Sequence, residues 1–248
     1  MIALSVGEVA VLYLIPVVAF VLIWLGASAL IYLLVRSRLD FDFKHDLLRK
    51  FEKKRDLPSG TDRLTFLYVS KLLLGDSCIQ AVLLYRISHF LALHRLRTLA
   101  QMVHAFSRFA THTDISPYAN IGRGFYLYHG LGTAIGKNTR IGQRVVVCHG
   151  VSISGRVTLG DDVNVWPGAQ VFPRVTIGDR SDVGANSVIL GDFPDDSIVF
   201  GVPARLVGRR SFFAEGVGAA ARKTQGPSDY EDQAWNASGP TGAQGVTR

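Results

Sequence analysis

Histidine is the side chain most ready to take or give a proton near neutral pH, and two of the seven histidines in this 248-residue sequence fall into register with one another. His129 stands two residues after Leu127, and His149 stands two residues after Val147, inside a stretch where large aliphatic residues return at a fixed interval. If that interval is structural, the two imidazoles belong to successive turns of one wall. His129 also falls where the interval lengthens, which pushes its side chain out of the regular array and toward whatever lies outside. A projecting neutral imidazole is suited to removing a hydroxyl proton, with the second as base or hydrogen-bond donor beside it.

The element that must hold these residues follows from the interval itself, which is six. Ile115, Ile121, Leu127, Ile135, Ile141, Val147, Ile153, Leu159, Val165, Val171, Ile177, Val183 and Ile189 mark thirteen hexads, with one step of eight residues from Leu127 to Ile135. A small or β-branched residue sits four positions on, as in Ala119, Thr139, Val145, Val151, Val157, Val163, Ala169, Val175, Ser181 and Ser187. A period of six is neither the 2 of an alternating strand nor the 3.6 of a helix; it describes a solenoid whose wall turns a corner at every hexad. Three hexads close one triangular coil, and thirteen give about four coils stacked at roughly 4.8 Å. The aliphatic residue points inward and the small one fills beside it. Glycine directly after the aliphatic residue, as in Ile141-Gly142, Leu159-Gly160 and Ile177-Gly178, is expected to supply the backbone freedom the corners need. An antiparallel sandwich is excluded, because alternation and hairpin turns are missing.

The stretches DISPYANIGRGFYLYHGLGTAIG, VCHGVSISG, VGANSVILGD and GVPARLVG resemble the left-handed parallel β-helix acyltransferases, and within them the serine acetyltransferase branch. QAVLLYRISHF is similar to the helix preceding the β-helix in that branch. The resemblance implies the left-handed coil, acetyl-CoA as cosubstrate with no metal, and a homotrimer with active sites between neighbouring β-helices. It implies a catalytic role for His129 in the YHG segment, and for Asp114 as the carboxylate that orients it. Trp166-Pro167-Gly168-Ala169 and Gly184-Ala185-Asn186-Ser187 match turns that line the pantetheine groove, so Pro167, Gly168, Gly184 and Ala185 are expected to face the cosubstrate, with Arg205 meeting a CoA phosphate. His149 joins the site by its register with His129.

The resemblance departs at the acceptor side. In serine acetyltransferases a carboxylate precedes the catalytic histidine; here Tyr128 stands there and is assigned to substrate binding. Their glycine-rich loop bearing a second histidine is missing, since the chain runs directly through SISGRVTLGDDV, and an acidic N-terminal serine-binding segment has no counterpart. An amino-acid ammonium would lose its anionic partners. The expected acceptor is therefore a neutral hydroxyl, such as a sugar of an envelope or exported polysaccharide, with serine O-acetylation in cysteine synthesis as the alternative and a non-catalytic membrane scaffold as a further one.

The rest of the chain fits such an enzyme. From Val9 to Val35 there is no charged residue, longer than the roughly 20 residues a helix needs to cross hydrocarbon. It is too long, and lacks a basic start, for a cleaved signal peptide. Arg36, Arg38, Lys44, Arg49, Lys50, Lys53, Lys54 and Arg55 follow, and the positive-inside rule puts them, and the bulk of the chain, on the cytoplasmic side of the inner membrane. The expected organisation is a transmembrane anchor over 1–36, a basic linker and amphipathic helices over 37–110, the mainly β left-handed parallel β-helix over 111–210, and a disordered tail over 211–248. The +7 formal charge is concentrated near the anchor and belongs to an anionic membrane surface. No basic, aromatic-interleaved surface marks a nucleic-acid binder. Cys78 and Cys148 are expected as reduced thiols, and His89, His94 and His104 show no metal-ligand spacing.

Overall fold

The structure is a computed structural model, and it describes residues 6–36, 42–53 and 66–210. The expected tail over 211–248, and Arg38, Lys54 and Arg55 of the basic stretch, lie outside the described residues.

Every hexad forms a short strand with its aliphatic residue buried. Thirteen strands run from β1 (Asp114–Ile115) through β2 (Asn120–Ile121), β3 (Tyr126–Tyr128), β4 (Ala134–Ile135), β5 (Arg140–Ile141), β6 (Val146–Cys148), β7 (Ser152–Ile153), β8 (Thr158–Leu159), β9 (Asn164–Val165), β10 (Gln170–Val171), β11 (Thr176–Ile177) and β12 (Asp182–Val183) to β13 (Val188–Ile189). They stack into three parallel sheets, β1-β4-β7-β10-β13, β2-β5-β8-β11 and β3-β6-β9-β12, which are the first, second and third walls of a triangular β-helix. The register within each wall pairs residues one coil apart, as Leu127 with Val147 and Val147 with Val165. The core is one file of aliphatic residues, none more than 4% exposed, flanked by the buried Ala119, Val145, Val151, Val157 and Val163. A hairpin of β14 (Ser197–Gly201) and β15 (Ala204–Arg209) continues the third wall and closes the last coil.

The corners use their residues differently from the expectation. The left-handed positions between the second and third walls are held by Gly124, Arg144, Asp162, Arg180 and Asp196, not by the glycines that follow the aliphatic residues. Those glycines are needed for close approach: a Cβ on Gly142, Gly160 or Gly178 would lie within 2.4 Å of the carboxylate of Asp161, Asp179 or Asp195 in the next coil. These carboxylates accept hydrogen bonds from backbone amides of the coil before, Asp161 from Gln143 at 2.7 Å and Asp179 from Asp161 at 2.8 Å.

Five helices precede the β-helix: α1 (Val6–Arg36), α2 (Asp42–Lys53), α3 (Phe66–Gly75), α4 (Ser77–Leu93) and α5 (Arg97–Thr111). The stretch read as a basic linker thus contains a helix, α2, whose Phe43, Asp46 and Leu47 share one buried face. In α1, Leu14–Leu33 is apolar and mostly exposed, and by length and composition it is the one described helix able on its own to cross a membrane. Its inner end packs on α3 through Tyr32 and Phe66, ring centroids 6.0 Å apart. The chain turns by 90° between α3 and α4, where Asp76 caps α4 by accepting from the amides of Cys78 and Ile79, both at 3.1 Å, and pairs with Lys50 of α2.

The helices grip the first coil. Arg86 of α4 donates to both carboxylate oxygens of Asp46 in α2, at 2.9 and 3.1 Å, and to the carbonyls of Ile121 and Gly122, at 2.6 and 2.7 Å. Asp46 in turn accepts from the Phe125 amide at 2.8 Å, at the entrance to β3. Tyr85 donates to the Ala119 carbonyl at 2.9 Å. Burial pushes the Asp46 carboxyl above its usual range, although Arg86 and the Phe125 amide pull it back.

Candidate active site

His129 occupies an insertion that the walls themselves define. Tyr128 pairs with Cys148 in neighbouring strands. Past that pair, the left-handed turn positions Gly132, Gly150, Gly168 and Asn186 stack at the corner between the third and first walls. Two residues lead from Cys148 to Gly150, but four lead from Tyr128 to Gly132, so the first coil bulges by two at this corner. His129 sits in the bulge with φ +56° and is exposed. Non-glycine residues seldom adopt that conformation, and here it turns the ring outward.

The bulge is held from behind. Gly130 is buried against Leu127, and its carbonyl accepts from the Thr113 hydroxyl at 3.1 Å. The Gly132 amide donates to the His112 carbonyl at 3.0 Å. Thr133, also buried, donates to the Cys148 carbonyl at 2.9 Å. The register predicted from the hexads is present: the His129 and His149 rings lie 6.3 Å apart, nearly edge to face. Tyr128 stands edge-on to His129 at 4.2 Å and is 45% exposed. Below it, burial, and after it the neighbouring Tyr128, push the Tyr126 phenol up to about 12, so it remains a neutral hydroxyl.

The other sequence-derived residues divide. Pro167 is in register with His149, whose carbonyl accepts from the Gly168 amide at 3.1 Å; the Asn186 amide bonds the Pro167 carbonyl at 2.9 Å, and Ala185 is exposed beside it. His129, His149, Pro167, Gly168 and Ala185 therefore follow one corner along the helix axis. Gly184 departs from its expected part: a Cβ there would lie 2.1 Å from the Phe200 ring, so its bareness makes room for this chain's own hairpin. Arg205 is exposed on that hairpin, opposite Phe200.

Asp114 has a different partner from the one expected. It lies one coil before Ala134, at the edge of the first wall. Its carboxylate meets the His104 ring nitrogen at 2.8 Å, and Arg108 stands 3.6 Å away. The cause is the short link through His112 and Thr113, which brings the last turns of α5 over β1. His104 was passed over in the sequence because only this nonlocal turn makes it a neighbour. Cys78 and Cys148 form no disulfide, and burial pushes the Cys78 thiol up. Among the described residues, no group of three or more His, Cys, Asp or Glu side chains is placed to hold a metal.

Comparison with known proteins agrees with this architecture. Residues 156–191 match the bacterial transferase hexapeptide (six repeats) family. The serine acetyltransferase of Bacillus subtilis is 38% identical over 145 residues, 55% of this chain and 67% of that protein. That of Helicobacter pylori is 38% identical over 137 residues, 52% of this chain and 80% of its own. The crystal structure of Neisseria gonorrhoeae serine acetyltransferase in complex with serine superposes with a TM-score of 0.59 at 28% identity, covering 66% of this chain and 67% of that one. A stacked hexad wall, a histidine turned out at its one insertion and relatives of this identity converge: the chain belongs to the serine acetyltransferase family of hexapeptide-repeat acyltransferases.

Proposed function

We propose that this chain, an acetyl-CoA-dependent acyltransferase by family, moves the acetyl group onto the hydroxyl of serine, with His129 as the base. The observation that carries the proposal is the outward-turned His129 at the two-residue bulge, with His149 6.3 Å away on the next coil. His129 takes the proton of the acceptor hydroxyl as its oxygen attacks the thioester carbonyl. The tetrahedral oxyanion then collapses, the C–S bond breaks, and the proton passes to the departing thiolate. His149 donates a hydrogen bond to the acceptor or the oxyanion. The corner of Pro167, Gly168 and Ala185 offers a narrow track for the pantetheine arm, and Arg205 a cation at its end. Asp114, expected to orient the imidazole, has its carboxylate on His104 at 2.8 Å and its amide on the Thr133 carbonyl, just after the bulge, at 2.9 Å. A trimer, as the family resemblance implies, would place a second β-helix across this corner.

A second reading keeps a neutral hydroxyl, such as a sugar, as acceptor. The specific observation in its favour is Tyr128, a neutral phenol packed edge-on against His129 where a carboxylate would be wanted by an ammonium. The names of the relatives favour serine over a glycan. An acetyl-transfer assay offering serine beside glycan acceptors decides between them: efficient serine turnover supports the first reading, and glycan turnover without serine turnover refutes it.

The membrane assignment is also a proposal. The apolar Leu14–Leu33 segment, followed by Arg36, Lys44, Arg49, Lys50 and Lys53, supports an anchor in the inner membrane with the β-helix on the cytoplasmic side. Protease shaving of sealed inner-membrane vesicles tests it; protection of the β-helix in right-side-out vesicles is the expected result.

A further inference from the structure

The three corners of the β-helix carry different charge. Between the second and third walls, the left-handed positions read Arg144, Asp162, Arg180, Asp196 up the stack. The signs alternate and the pairs close: Arg144 reaches Asp162 at 2.8 Å, and Arg180 grips Asp196 with two bonds at 2.8 and 2.9 Å. An arginine in the left-handed region is strained, and here a two-pronged ion pair within the chain offsets the strain.

Between the first and second walls the same positions read Asn138, Arg156 and Arg174, with φ of 61°, 66° and 67°. Lys137 precedes Asn138. The register of the first wall stacks these residues coil on coil, at about the 4.8 Å strand spacing. Lys137, Arg156 and Arg174 are all exposed, and their side chains have no hydrogen bond or ion pair with any described residue. Asp192, one coil of 18 residues beyond Arg174, accepts instead from the Thr176 amide at 2.6 Å. Together with Gly155 and Pro173 they line a depression of about 500 Å³. Three like charges are thus held in one column, two of them on a strained backbone, with no ion pair to any described residue that offsets either cost.

We propose that the column Lys137–Arg156–Arg174 is a binding site for a phosphate or pyrophosphate group on a small-molecule ligand. The guanidinium forks of Arg156 and Arg174 suit two-pronged capture of phosphate oxygens, with Lys137 adding charge at the end of the column. The site is separate from the His129 corner. The phosphate belongs either to the nucleotide end of the acetyl-CoA cosubstrate or to a phosphorylated acceptor; this assignment rests on the acyl-transfer reading, whereas the anion site does not.

The test is titration calorimetry with inorganic pyrophosphate at low salt. The proteins are the full chain, its Arg156→Gln/Arg174→Gln variant, and an Arg144→Gln/Arg180→Gln control that loses the same charge from the compensated corner. The first variant is expected to weaken pyrophosphate binding roughly tenfold, as two exposed ion pairs would, and the control less than about twofold. No binding by the parent chain, or equal losses in both variants, overturns the proposal, the latter by showing only a general field. In kinetics, a rise in KM for acetyl-CoA confined to the first variant assigns the phosphate to the cosubstrate. An unchanged KM with weakened pyrophosphate binding assigns it to the acceptor. Pyrophosphate binding lost only in the first variant, in a chain that transfers no acetyl group to any acceptor, would sink the acyl-transfer reading and leave the anion site standing.

Discussion

Asp46→Ala should loosen the grip of the helices on the coil that carries His129. Asp46 is 1% exposed and makes three bonds: two from Arg86, at 2.9 and 3.1 Å, and one from the Phe125 amide at 2.8 Å. Removing it strands a guanidinium whose side chain is only 10% exposed, with the Ile121 and Gly122 carbonyls and a distant Asp42 oxygen at 3.4 Å as remaining partners. Removing one partner of a buried ion pair costs about 3–5 kcal/mol, most of it the price of the uncompensated charge. At roughly 2–4 °C per kcal/mol for a chain of this size, the unfolding midpoint should fall by on the order of 10 °C. The same origin predicts partial rescue: Asp46→Ala/Arg86→Met, with no stranded cation, should be more stable than Asp46→Ala alone. Thermal unfolding in detergent, followed by circular dichroism, reads all four corners of the cycle. If the two single losses add to within about 0.5 kcal/mol, or if Asp46→Ala costs less than about 1 kcal/mol, the pair is not the clamp described. Because Phe125 opens β3, acetyl transfer should also weaken in Asp46→Ala below its melting range.

Three further predictions concern the site and the stack. His129→Asn, which retains a residue tolerant of φ +56°, should lower kcat by about 10²–10⁴ with the unfolding midpoint unchanged, whereas His149→Gln should cost less; steady-state assays beside melting curves check both. Gly130→Ala places a Cβ 2.5 Å from Leu127 Cδ2 and 3.3 Å from the Thr113 hydroxyl, so it should cost about 1–3 kcal/mol and re-aim His129, lowering kcat more than it raises KM for acetyl-CoA. Hydrogen bonding from Arg144 holds the Asp162 carboxyl below its usual value, as Arg180 does for Asp196. A lowered folded-state value means stability present above about pH 4, the unfolded range, and lost as pH falls through the folded value; Asp162→Asn should flatten that acid limb in melting curves taken between pH 2 and 5.

The sequence made the β-helix legible because its core is a one-residue rule applied thirteen times. Each aliphatic residue from Ile115 to Ile189 became the buried member of a strand, and the small or β-branched residues four places on, from Ala119 to Ser187, became buried companions, the exception being Leu131 in the bulge, which is exposed. The His129–His149 pair was legible for the same reason, since register in a solenoid is arithmetic. What the sequence hid was nonlocal or depended on where a side chain reaches. Asp46 and Arg86 meet across three helices and the first coil. The helical turn at α5 hands Asp114 to His104, and the hairpin folds Phe200 over Gly184. The glycines after the aliphatic residues looked like turn formers, yet they are bare because the next coil's carboxylate occupies the space of a Cβ.

A solenoid of this kind separates stability from chemistry by direction. Inward positions are spent on one continuous file of aliphatic side chains, and every coil repeats the same solution. The corners are then free to differ, because a residue there contacts only the coils above and below it. One corner alternates arginine and aspartate and closes on itself. A second stacks glycines and an asparagine, which keeps the backbone low, and it is there that two added residues lift His129 clear of the wall. The third stacks Lys137, Arg156 and Arg174, cations without a partner among the described residues. Each corner is a vertical strip along the same axis, so a long, thin ligand lying parallel to the stack can touch several coils of one strip at once. The chemistry of such an enzyme is therefore set by which strip carries which side chains, and an insertion of two residues at one corner changes it without disturbing the core beneath.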